Sequence, residues 1–207
     1  MKISVIVRAG DTEYTQRCVD SLLAQSFERG EFEIVLTGRR RSVKPVYEKY
    51  LSEDADIKYS ETDPEDFARV INLARQAAGD YLRFVKSEDA LSPFFLSTLY
   101  RICENLNVKM ASCGLQNVPR GTPVENRPAL LMLWPEEAVE KDVFLSGLDG
   151  GNEAYRFLYN KLFCRSLCPG SVSSEEDFVA SLVSACDRVG ITGQPLYFRS
   201  AGEDLPR

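Results

Sequence analysis

Three stretches of this sequence carry the residue types that do chemistry. Lys86-Ser87-Glu88-Asp89 sets a cation beside two carboxylates, Arg39-Arg40-Arg41 with Lys44 is a basic run, and Glu176-Asp177 is an acidic pair. Lysine and arginine neutralise anions, arginine as a rigid fork and lysine as a point charge. A carboxylate can take a proton from a hydroxyl held within hydrogen-bond reach. Each stretch also has a plainer reading. Charge runs usually face water, and acids in the first turn of a helix complement its dipole. The chain contains no histidine, which removes mechanisms built on a His base, the usual hydrolase triads among them. Cys18, Cys103, Cys113, Cys164, Cys168 and Cys186 include no C-x-x-C pair. A structural zinc site is therefore not expected, and cysteines on apolar faces act as small hydrophobes.

The elements that must position these residues alternate strand and helix. At 207 residues the chain suits one α/β domain. Ile3 to Val7 is a continuous apolar run, as in a buried parallel strand. Asp11 or Thr12 can cap the helix that follows, which carries Tyr14, Cys18 and Leu22 in one row. Phe32 to Thr37 reads as the second strand. A short helix through Val46, Tyr47 and Leu51 and a strand at Ile57 to Tyr59 come next. Asp63-Pro64-Glu65-Asp66 has the cap, the proline and the first-turn acids of a helix start. Tyr81 to Val85 is a strand, Lys86 to Ser92 a loop, Pro93 to Leu106 a helix and Lys109 to Leu115 another strand. Beyond that, Gln116 to Arg127 reads as loop, Ala129 to Trp134 as strand and Pro135 to Lys141 as a helix start. Leu145 to Asn152 reads as a flexible loop, Tyr155 to Cys164 as β, and Gln194 to Arg199 as the closing strand, with Ser174 capping a helix between them.

Repeated strand–helix units imply a mostly parallel sheet with helices on both faces. In such sheets ligands sit beyond the carboxyl ends of the strands. Topology alone then brings Arg8-Ala9-Gly10-Asp11, Thr37-Gly38-Arg39-Arg40-Arg41 and Lys86-Ser87-Glu88-Asp89 to one mouth. The net charge of −6 weighs against a nucleic-acid partner. No stretch approaches the roughly 20 apolar residues of a membrane span, which leaves room only for peripheral membrane contact. Met1 to Val7 is too short for a signal-peptide core, so a cytoplasmic chain is expected.

Seven segments stand out in order: Ile3-Ser4-Val5-Ile6-Val7, Cys18-Val19-Asp20-Ser21-Leu22-Leu23-Ala24-Gln25-Ser26-Phe27 and Phe32-Glu33-Ile34-Val35. Ala78-Gly79-Asp80-Tyr81-Leu82-Arg83-Phe84-Val85, Tyr159-Asn160-Lys161-Leu162-Phe163, Glu176-Asp177 and Pro195-Leu196-Tyr197-Phe198-Arg199 follow. In this order and rough spacing they resemble the family-2 inverting glycosyltransferases, which have the GT-A fold. The resemblance implies a Rossmann-like, mostly parallel α/β sheet completed by a small C-terminal α+β portion. It also implies one domain over residues 1–207, with a nucleotide-sugar half at 1–115 and an acceptor half at 116–207.

The resemblance further implies transfer, with inversion, of a sugar from a nucleotide-sugar donor to a glycan or lipid-linked acceptor. Its Asp-x-Asp-Asp metal motif is altered here: Lys86 replaces the first acid, Glu88 the second, and Asp89 remains. The Pro-x-Tyr-Asn and Asp-Asp-Gly-Ser motifs are replaced by Arg8-Ala9-Gly10-Asp11 and Thr37-Gly38-Arg39-Arg40. Arg8, Asp11, Arg39, Arg40, Lys86 and Glu88 fall at donor-binding positions. A lysine is itself a phosphate-binding charge, so either no metal is required or Mg²⁺ or Mn²⁺ is weakly held by Glu88 and Asp89. Asp177, with Glu176 beside it, is the implied general base, with Glu175 in reserve should the register slip. Asn160, Lys161 and Trp134 are candidates for the acceptor side. The alternative is a catalytically inactive binding or scaffold protein with the same fold. A nucleotidyltransferase is set aside because Arg8-Ala9-Gly10-Asp11 is too short for its glycine-rich loop.

Overall fold

A computed structural model of the protein describes residues 1–51, 56–63, 65–119, 134–151 and 153–201. The first half builds a parallel block. β1 (Ile3–Ala9) is flanked by β2 (Phe32–Gly38) and β4 (Tyr81–Lys86), and β3 (Ile57–Glu61) extends it beyond β2, all parallel. Ile3, Val5, Ile6 and Val7 are fully buried, which is why this strand reads as an unbroken apolar run.

Helices cover the block. α1 (Thr12–Leu23) is capped by Asp11, whose carboxylate accepts from the Glu13 N–H at 2.9 Å. α2 (Arg40–Tyr50) begins inside the basic run and carries Pro45. Proline has no N–H for the carbonyl four residues back, and that carbonyl, Arg41 O, accepts instead from the Thr12 hydroxyl at 3.3 Å. α3 (Phe67–Gln76) starts later than its acidic signature suggests. Asp66 is the true cap, accepting from Arg69 N at 3.1 Å, while Asp63 closes a separate turn by accepting from Glu65 N. Pro64 lies outside the described residues. α4 (Phe95–Leu106) ends at Asn107, in the left-handed conformation with φ 49°.

The second half completes the same sheet rather than forming a separate layer. β8 (Lys161–Cys164) inserts antiparallel between β4 and β6 (Met110–Pro119), and β9 (Arg188–Ala201) runs parallel to β6. The sheet order is β3-β2-β1-β4-β8-β6-β9-β5, with the short β5 (Ala90–Leu91) and β7 (Glu136–Glu140) both antiparallel to β9. Among the described residues the result is an α/β fold with a nine-stranded mixed sheet and helices on its faces.

Four expectations are corrected here. Residues 136–140 are strand, not helix, because the backbone of β9 supplies their hydrogen-bond partners. Leu145 to Asp149, read as loop, is helix: α5 (Lys141–Asp149) runs through Gly147, and Phe144 on it is fully buried, while Gly150 and Gly151 follow as a turn and Asn152 lies outside the described residues. Tyr155 to Cys164 is mostly not strand. It holds the end of α6 (Glu153–Arg156) and a 3-10 turn at Leu158–Asn160 before β8 begins. β6 continues through Pro119, into the stretch read as loop, because β9 pairs with it that far. Of the strand expected at Ala129 to Trp134, only Trp134 is described, and it is not in a strand.

Candidate functional site

β1, β2 and β4 end together, and the residues singled out by charge divide there into two groups. In the first, Asp11, Arg39, Arg41, Ser42 and Glu65 help line a cavity of about 560 Å³ beside Ala9 and Gly10. Gly38, next to Arg39 of this lining, sits in a tight place. A Cβ there would lie 2.6 Å from the Ala9 carbonyl oxygen and 3.1 Å from Val43 Cγ1, so only glycine lets β2 turn into α2 this close to β1. Arg39 and Arg40 are exposed and reach Asp63 at 3.8 Å and Glu61 at 3.3 Å respectively. Such exposed pairs add little stability and leave the run available to an anion.

The second group is set by the register of β1 and β4, which puts Arg8 beside Lys86. The Arg8 guanidinium donates to the Tyr159 hydroxyl and to the Glu175 carboxylate. The Tyr159 hydroxyl donates to that same carboxylate oxygen at 2.6 Å. Lys86 Nζ lies over the Tyr159 ring, 4.8 Å from its centroid, and among the described residues it has no ion-pair or hydrogen-bond partner. Burial works against the charge on Arg8, but Tyr159 and Glu175 more than offset it and raise its pKa. Burial raises the pKa of Tyr159 too, which keeps it the neutral donor. Lys86 is not among the residues lining the cavity of the arginine run. Its cationic neighbour is Arg8.

The Lys86–Asp89 loop is held from both sides. The Gly10 N–H donates to Ser87 Oγ at 2.9 Å. On the other side β9 takes the loop: Tyr197 donates to Asp89 Oδ2, Ser200 N donates to Oδ1 at 2.8 Å, and the Ser200 hydroxyl donates to the Glu88 carbonyl. Asp89 is 5% exposed, and burial pushes its pKa up to about 6. A divalent cation on a diphosphate is held by one or two protein carboxylates, with water and phosphate oxygens as its other ligands. Both Asp89 oxygens already serve β9, and Lys86 stands where a further acid would be needed. Among the described residues no group of three or more acids, cysteines or histidines is placed to hold a metal ion. Glu88 alone is left, and the residues present do not fit an Asp-x-Asp metal site.

The remaining candidates scatter. Asp177 and Glu176 are exposed in the first turn of α7 (Glu175–Ser184). Ser174 caps that helix by accepting from Asp177 N at 3.0 Å, and the Ser173 hydroxyl donates to the Asp177 carboxylate. Glu175, two residues away, is the acid of this turn that reaches β1. Asn160 and Lys161 are fully buried and present no polar atom to solvent. Lys161 Nζ donates to the carbonyls of Ala154 and Phe157 and to Asn160 Oδ1 at 2.6 to 3.0 Å, and burial pushes its pKa down to about 7. This pair braces the turn before β8. Trp134 is half-buried with its ring against Gly193, where a Cβ would come within 2.9 Å. Its indole N–H finds no acceptor among the described residues. Sequence reading missed Tyr159 as a site residue: its partners Arg8 and Glu175 are 151 and 16 residues away, and no local signal joins them.

No protein-family model matches the chain. The glycosyltransferase GlyA of Streptococcus pneumoniae serotype 4 is 28% identical over 102 residues, covering 48% of this chain and 15% of the relative. The putative glycosyltransferase EpsH of Bacillus subtilis is 24% identical over 169 residues, covering 80% of this chain and 47% of its own. The chain thus spans less than half the length of these curated relatives. Among solved structures, S. aureus TarS 1-349 in complex with UDP superposes with a TM-score of 0.73 at 22% identity, over 97% of this chain and 61% of that one. The mannosyltransferase PcManGT from Pyrobaculum calidifontis, in complex with GDP-Man and Mn²⁺, gives 0.67 at 14% identity, over 98% and 58%. The α/β, Rossmann-like fold expected from sequence is therefore the fold of known glycosyltransferases. Among the described residues no helix is long and apolar enough to cross a membrane.

Proposed function

We propose that this protein is a nucleotide-sugar-dependent glycosyltransferase of the family-2, inverting type, acting on a hydroxyl of a glycan or lipid-linked acceptor. One observation carries the reading. The cavity lined by Asp11, Arg39 and Arg41 opens at the carboxyl ends of β1 and β2, where open α/β sheets bind their ligands. The support from comparison is a fold shared with proteins solved with UDP and GDP-Man. Asp11 and the arginines would take the nucleoside and its first phosphate, with Arg40 and Glu88 at the rim.

The chemistry is a single displacement. The acceptor hydroxyl oxygen attacks the anomeric carbon, the bond from that carbon to the β-phosphate oxygen breaks, and the nucleoside diphosphate leaves. Asp177, exposed at the start of α7 with Glu176 beside it, would take the hydroxyl proton. Glu175 is committed to Arg8 and Tyr159, which suits positioning better than proton transfer. Trp134 supplies an aromatic surface that an acceptor sugar can stack on. The commitment of Asp89 to β9 favours the non-catalytic alternative, and a transfer assay with any donor that binds decides between them. Calorimetry with UDP-, GDP- and TDP-sugars, with and without Mn²⁺, is expected to show binding of at least one donor. Silence across the panel rules out the enzyme reading.

A further inference from the structure

The fold family implies a divalent cation on the donor's diphosphate, and the described residues do not gather the ligands for it. A metal at that place supplies two positive charges and a directional hold on phosphate oxygens. The chain has put two cations of its own at adjacent strand ends, Arg8 on β1 and Lys86 on β4. We propose that Arg8 and Lys86 together replace the divalent cation as the charge that holds the donor's diphosphate. This rests on the glycosyltransferase reading above and names how its donor is held.

Several features of the site bear on it. Tyr159 braces both cations at once, its hydroxyl to Arg8 and its ring face under Lys86. A shared brace fixes their spacing, and a preorganised pair loses less freedom on binding than two mobile side chains. Glu175 acts as a positioning residue, holding Arg8 through a carboxylate that Tyr159 also bonds. The Lys86 ammonium has no hydrogen-bond acceptor among the described residues. Its donors therefore remain for phosphate oxygens, to which lysine binds as a point charge. The Asp89 carboxylate, which would compete for Lys86 as it would for a metal, is drawn off by Tyr197 and Ser200. The cavity beside Asp11 and Arg41 lies on the β2 side of β1. A nucleoside there directs its diphosphate across the end of β1 toward the pair.

The test titrates UDP and GDP into the protein by calorimetry, once with excess EDTA and once with Mn²⁺. The expected result is binding of at least one nucleotide with an affinity that agrees within about threefold between the two conditions. Lys86→Ala is expected to weaken that binding about tenfold to a hundredfold, as loss of a charged hydrogen bond does. Lys86→Arg should restore most of it. Lys86 is only half-buried, so unchanged melting of the variants checks that they fold. Binding that appears only with Mn²⁺, or that Lys86→Ala leaves unaltered, overturns the cation-pair assignment and leaves the donor-binding reading intact. No binding of either nucleotide under both conditions overturns the two together.

Discussion

Replacing Glu33 by glutamine should destabilise the protein by about 2–4 kcal/mol at neutral pH, although the change is one atom. Glu33 sits in the middle of the parallel block and is 1% exposed. Its Oε1 accepts from Ser4 Oγ at 2.5 Å and from Ala78 N at 2.6 Å, and its Oε2 accepts from Lys58 Nζ at 2.7 Å. It thereby ties β2 to β1, to β3 and to the turn entering β4. Glutamine keeps the Oε1 pair as neutral bonds but turns a donor toward the Lys58 ammonium. A hydrogen bond to a charged group contributes about 1.5–3 kcal/mol and a neutral one about 1. One charged bond is lost and two are weakened, with a discount because Lys58 is half-exposed and can turn to water. At roughly 2–4 °C of melting temperature per kcal/mol for a domain of this size, the shift is on the order of 10 °C.

The pH dependence fixes the cause. Burial alone would raise the Glu33 pKa, but Lys58, Ser4 and the Ala78 N–H together hold it below its ordinary 4.5. A carboxyl depressed in the folded state contributes stability above the unfolded pKa and loses it as pH falls through the folded value. The wild type and Glu33→Gln should therefore differ most above pH 4.5 and converge in acid. Urea unfolding at pH 7 and at stepwise lower pH measures this. Variants within 0.5 kcal/mol of each other at pH 7, or a gap that widens in acid, would refute the reasoning.

Three other outcomes are expected. Asp177→Asn should lower transfer, or donor hydrolysis, about 10²–10⁴-fold with donor affinity unchanged within about twofold; equal rates would move the base elsewhere. Gly38→Ala should cost about 1–3 kcal/mol in urea unfolding, because its Cβ meets the Ala9 carbonyl oxygen at 2.6 Å, and it should also weaken nucleotide binding in the neighbouring cavity; full stability would mean that β2 can shift freely. Arg83 is fully buried; its Nη1 donates to the Tyr159 and Lys161 carbonyls, its Nε and Nη2 have no acceptor among the described residues, and burial lowers its pKa to about 10. Arg83→Met should therefore fall within about 1 kcal/mol of wild type or above it, and a loss of more than about 3 kcal/mol would show a partner the geometry lacks.

Where hydrophobic periodicity and capping decide structure, the sequence was readable. The run at β1, the cap at Asp11 and the cap at Ser174 are local, and each appears where its residues put it. The convergence of the Arg8, Arg39 and Lys86 loops followed from strand order alone. What failed depended on partners far along the chain. The Glu136–Glu140 strand exists because β9, some fifty residues later, pairs with it, and nothing in its own residues outweighs the helix-start signature of Pro135. Lys86 illustrates the same limit at the site. Its type and position were legible, but its neighbour was not: it shares a tyrosine with Arg8 and is not among the residues lining the cavity of the arginine run. Glu33 stood in a recognised strand motif, yet its three bonds reach residues 25 to 45 positions away.

The hold of β9 on the Lys86–Asp89 loop also sets an order in time. Ser200 lies 111 residues beyond Asp89. At about 5–20 residues per second on the ribosome, those residues take roughly 6–22 s to make. Throughout that interval β1 to β4 can assemble from local contacts while Asp89 waits, its carboxylate hydrated and able to pair with Lys86. Arrival of β9 withdraws that carboxylate and leaves the ammonium over Tyr159. The proposed anion-binding mouth should therefore form only once β9 has paired, and a nascent chain stalled before residue 197 should carry the folded parallel block without it.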